Sequence, residues 1–76
     1  MKRVLEVELT HDEVANAAAI TFDPIARGRA LRTLEVTDGA STTLATVTFD
    51  AHGALVQIEL LDAARQLPAA LRADGG

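Results

Sequence analysis

The chain has 76 residues, no cysteine, tryptophan or tyrosine, 49% hydrophobic residues and a formal net charge of −4. One domain of this size holds a core worth only a few kcal/mol, and without thiols neither a disulfide nor a thiolate metal site can staple it. The acid excess argues against a nucleic-acid surface, which needs clustered Lys and Arg. No apolar run reaches the roughly 18 residues of a membrane span.

The basic start at Lys2 and Arg3 is followed by Glu6 and Glu8, where a signal peptide needs unbroken apolar residues, so a cytoplasmic protein is expected. Residues 3–9 alternate Leu5, Val7 and Leu9 against Val4, Glu6 and Glu8, the period of a half-buried strand. Thr10-His11-Asp12-Glu13 has the form of a capping box and predicts a short helical turn through Val14 and Ala15.

A second strand is expected over 17–23, with Ala18, Ile20 and Phe22 on one face, until Asp23-Pro24 stops it. After a connection containing Arg27-Gly28-Arg29, a third strand over 30–37 sets Leu34 and Val36 against Leu31, Thr33 and Glu35. Asp38-Gly39 then supplies a tight turn.

The fourth strand, 43–50, turns Ala45, Val47 and Phe49 inward, and the Asp50-to-Gly53 turn hands over to a fifth, 55–61. There Val56, Ile58 and Leu60 share one face and Leu55, Gln57, Glu59 and Leu61 the other. A short amphipathic helix with Pro68 at its first position and Leu67 and Leu71 on its apolar side ends the fold, leaving 73–76 as a flexible tail. The expected architecture is one α+β domain over 1–72, mainly β. It is a five-stranded antiparallel meander, because strands joined by short connections pair in sequence.

Two segments resemble a family of small bacterial proteins catalogued as domain of unknown function 2283. Asp12, Ala15, Asn16, Ala17 and Ile20 fit its first motif; Asp50, Gly53, Val56, Ile58, Glu59, Leu61, Asp62 and Ala63 fit its second. Both aromatic positions of the first motif are lost, to His11 and Ala19, and a glycine of the second is Gln57. The resemblance implies a compact, β-rich, stand-alone bacterial protein with no established activity, some members being encoded beside a toxin. It makes Asp12 and Asn16 structural positions and supplies no catalytic residue.

The polar groups give chemistry little to work with. His11 and Asp12 with Asp50 and His52 contain metal-ligand types, but a meander separates the two pairs by about a strand length of ~20 Å. Glu35 and Glu59 lie on outward faces without a nucleophile, and the Arg27, Arg29 and Arg32 group reads as a solvated connection. No catalytic, cofactor or metal residue is therefore assigned.

Gly75-Gly76 is the ending of ubiquitin-like and sulfur-carrier proteins, yet their grasp fold needs a long helix where residues 24–29 hold Pro and Gly. Outward aliphatics mark either a contact surface, formed by Leu31, Leu44, Leu55, Gln57, Glu59 and Leu61, or a face that the C-terminal helix covers in whole or part through Leu67 and Leu71, with Asp50 and Gly53 holding a structural turn. The expectation is a non-enzymatic protein-interaction module, a homodimer or a partner-binding accessory of the antitoxin kind, without cofactor, nucleic acid or membrane. The alternatives are a carrier acting through the Gly-Gly tail and a small-molecule-binding accessory or enzyme.

Overall fold

A computed structural model describes residues 1–4, 6–23 and 30–71. The described chain forms five strands, β1 (Glu8–Asp12), β2 (Ala17–Thr21), β3 (Leu31–Thr37), β4 (Thr43–Asp50) and β5 (Leu55–Leu60). A four-residue helix, α1 (Ala63–Gln66), and a 3-10 turn (Ala69–Leu71) follow. All five strands join one antiparallel sheet in the order β1-β2-β5-β4-β3.

That order corrects the expected meander. The tight links 38–42 and 51–54 do make β3, β4 and β5 a consecutive hairpin unit. The longer link, residues 22–30, carries Asp23-Pro24, so β2 pairs with β5 instead of β3. The arrangement puts β5 in the middle of the sheet, where Val56 is fully buried.

The first strand and the helical elements also differ from expectation. Residues 3, 4, 6 and 7 belong to the alternating stretch but lie outside the ladder, because β2 ends at Thr21, opposite Glu8, and offers them no partner. No helix follows β1: Thr10 is a strand residue, and residues 13–16 form a turn. The Val14 and Ala15 amides donate to Asp12 Oδ1 (3.1 Å each), so Asp12 takes the place that the capping box gave to Thr10.

At the other end, α1 begins at Ala63, earlier than expected, and Leu67 is its C-cap. Pro68 opens the 3-10 turn, its carbonyl accepting from the Leu71 amide at 2.9 Å. Leu67 is buried and Leu71 exposed, so the two do not share one inward face.

Candidate interaction surface

Directly opposed residues of an antiparallel ladder point to the same face, so the register sorts every strand side chain onto one of two surfaces. One row runs His11, Ala18, Leu60, Ala45, Val36 and the next Leu9, Ile20, Ile58, Val47, Leu34. With Phe49 and Arg32, also paired, these rows make one face apolar except for His11 and Arg32.

The opposite face reads Thr10, Ala19, Glu59, Thr46, Glu35 in one row and Glu8, Thr21, Gln57, Thr48, Thr33 in the next. All strand acids, Glu8, Asp12, Glu35, Asp50 and Glu59, fall on this polar face. A cross-strand pair of threonine hydroxyls, Thr33 and Thr48 (3.1 Å), links β3 to β4 there.

Only part of the apolar face is covered. Ala63 and Leu67 pack on Ala18, with Leu9 and Leu60 around them, forming the core over the β1-β2-β5 half. The polar ties that hold α1 there begin at Asn16, which has φ +54, a left-handed conformation that Asn tolerates better than most residues. Its backbone carbonyl accepts from the Ala63 amide (3.1 Å) and its Oδ1 from the Ala64 amide (2.8 Å), while its Nδ2 donates to Asp62 Oδ1 (2.9 Å).

Asn16 thus satisfies the orphan amides of a helix start 47 positions away, in place of the side-chain cap that Asp62 does not make. Gln66 completes the fixture. Its Oε1 accepts from the Asp62 amide (2.9 Å) and its Nε2 donates to the Leu44 carbonyl (2.7 Å) at the start of β4.

Beyond that helix the apolar face stays open. Leu34 is 44% exposed, Val36 42% and Phe22 45%, whereas Ala18 is 3% exposed. A depression of about 400 Å³ lies in this region, lined by Arg32, Leu34, Phe49, Asp50, Ala51 and Gly53. The chain end of β4 is shaped by Asp50, whose Oδ1 accepts from the His52 and Ala54 amides (2.9 Å each), and by Gly53 at φ +85. The β3–β4 turn repeats the device: Asp38 Oδ1 accepts from Ala40 (2.8 Å), and Gly39 has φ +87.

The residues expected to form one outward patch are divided. Leu31 is opposite Asp50 at one end of the polar face, and Leu44 with Leu61 marks the other end, the Leu61 amide donating to the Leu44 carbonyl (3.2 Å). Thr46, Thr48, Gln57 and Glu59 occupy the positions between. A register shift in the β4–β5 ladder sets Leu55 opposite Phe49, out of the row that holds Gln57 and Glu59. Alternation alone could not reveal that shift. The sequence groups Phe22 with Ala18 and Ile20 and Leu34 with Val36, each on one face, but their exposure is not legible there, because periodicity reports which side chains share a face and not whether anything covers them.

Other polar groups are well separated. Glu35 and Glu59 flank Thr46 in one row, two strand spacings or about 10 Å apart. His11, paired with Ala18, lies toward the 13–16 turn, and His52 lies in the turn at the opposite end of the sheet. His11 Nδ1 is buried without a hydrogen-bond partner. No group of three or more metal-ligating residues occurs among the described residues. Arg27, Arg29 and Gly75-Gly76 lie outside the described residues.

No family model, curated protein or solved structure matches the chain. The fold and its surfaces therefore stand for themselves: a single-layer antiparallel sheet, half covered by its own C-terminal helix, and no helix among the described residues is long and apolar enough to cross a membrane.

Proposed function

We propose that the protein is a non-enzymatic interaction module whose contact surface is the open part of the apolar sheet face. The observation that carries this reading is the exposure of Leu34, Val36 and Phe22 on a face whose other half is sealed. Grouped exposed aliphatics on a small domain favour burial against another surface, at roughly 25 cal/mol for each Å² removed from water. The surface is mainly apolar, with a shallow depression at one end, and is suited to recognising a complementary apolar protein face.

Affinity capture from native lysate with intact-mass analysis tests the proposal. Wild-type bait should retain a protein partner or a second copy, and a Leu34→Glu, Val36→Glu bait of equal helix and strand content should not. Retention unchanged by those substitutions would overturn the choice of surface. If ATP and an adenylating enzyme instead gave a mass shift that deletion of Gly75 and Gly76 abolished, the carrier reading would replace it.

A further inference from the structure

We infer that the occupant of the open apolar face is a second copy of this chain, packed sheet against sheet. The inference rests on the interaction reading above and narrows it to one partner and one geometry.

Area is the first argument. The chain exposes 5791 Å², whereas a compact monomer of 8.0 kDa should expose about 4,450 Å². The difference of about 1,300 Å² includes the N-terminal residues, where Met1 and Val4 stand free of the sheet, and the open face adds to it through Phe22, Leu34 and Val36. A standard interface takes roughly 800 Å² from each partner.

Charge is the second argument. At net charge −4 two copies repel, so a contact between copies must keep the acids apart. The register does this for the strands: every strand acid falls on the polar face, and among the described strand residues the open face carries Arg32, near one end of the edge strand β3, with Asp50 at the rim of the depression beside it. Sheets packed through their apolar faces stand about 10 Å apart and turn both acidic faces outward, separated by more than the ~8 Å screening length at physiological salt. Packing through the polar faces would oppose Glu35 and Glu59 of each copy.

Geometry is the third. Phe22 extends the Ala18, Ile20 row of β2, and Leu34 lies on β3, three strand positions across the sheet. A side-by-side union of β3 edges would bury Leu34 and Val36 at most and leave Phe22 in water. Face-to-face packing removes all three from solvent and is the symmetric, self-matching contact of a twofold dimer.

Sedimentation of the full chain from 1 to 200 µM tests this with Leu34→Glu, Phe22→Glu and Leu44→Glu, each checked for retained fold by circular dichroism and urea midpoint. The expected wild-type mass is twice 8.0 kDa. Leu34→Glu and Phe22→Glu should each weaken the dimer at least about 100-fold, because each forces a carboxylate into a dry contact, and Leu44→Glu, on the polar side, should leave it intact. A wild-type monomer at 200 µM overturns the inference. So does loss of the dimer in Leu34→Glu but not Phe22→Glu, which indicates edge pairing, or loss in Leu44→Glu alone. Should the chain be monomeric while Leu34→Glu still abolishes capture of a different protein, the interaction module stands and only the identity of its partner changes.

Discussion

Ala18 and Val36 belong to one cross-strand row, yet the first is 3% exposed and the second 42%. Both sit on the same face, in strands of the same alternation. Two things separate their fates: Val36 lies on the edge strand β3, and Ala63 and Leu67 reach Ala18 while nothing comparable among the described residues reaches Val36. The comparison shows that an apolar stripe and a core are different things: the stripe is a property of strand period, and the core depends on where the next element is tied down. Here the ties are Asn16 and Gln66, polar residues whose bonds choose the half of the sheet that α1 covers.

Breaking the closed half should cost most. Leu67→Ala removes the larger of the two side chains that seal Ala18, and a buried Leu-to-Ala change costs about 3 kcal/mol. That is a large share of the stability of so small a domain. Urea melts should show the loss, and a shift below about 1 kcal/mol would mean that the helix is dispensable to the core.

Asn16→Ala should come next, at about 2 kcal/mol, since it removes a helix cap and puts a less tolerant residue at φ +54. Asn16→Gly separates the two causes. Glycine accepts the backbone conformation, so its remaining cost of about 1 kcal/mol reports the lost side-chain bonds. Hydrogen exchange should quicken at Ala64, whose partner is the side chain, more than at Ala63, whose partner is the retained carbonyl.

In the β4–β5 turn, Gly53→Val should destabilise by about 1 kcal/mol and His52→Ala by less than about 0.5 kcal/mol. A β-carbon at Gly53 would meet no atom within 4 Å, so the whole penalty comes from φ +85. An equal effect of the two variants would show that the backbone conformation carries no strain.

The smallest effect belongs to the open half. At low micromolar concentration Leu34→Thr should change the urea midpoint by under about 0.5 kcal/mol, because the side chain is already largely solvated and Thr suits a strand. A loss near 2 kcal/mol under those conditions would mean that the monomer buries Leu34 after all, and the contrast with Ala18 would fail.

Much of this was legible in advance. The expected limits of the fourth strand are those of β4, and β3 and β5 depart by a residue at one end, because strict alternation bounded by Asp-Gly and Asp-x-x-Gly turns leaves little choice of period. The face pairing of Ala45 and Val47 with Leu60 and Ile58 follows from the same period. The alternation ahead of Glu8 misled at residues 3, 4, 6 and 7, because it persists whether or not a partner strand is present. The polar site at Asn16 was visible only as part of a motif, and its partners Asp62 and Ala64 lie 46 and 48 positions away, beyond any local signal.

By itself, then, the sequence determined the existence and period of the strands, the turn chemistry at Asp38 and Asp50, and the partition of acids from aliphatics. Those features depend on neighbours within a few residues. Tertiary structure alone decided that β5 sits between β2 and β4, that a register shift moves Leu55 out of its expected row, and that α1 covers Ala18 while Leu34 stays open. Each of these depends on competition among distant surfaces for a limited apolar area, and local periodicity carries no record of which surface wins.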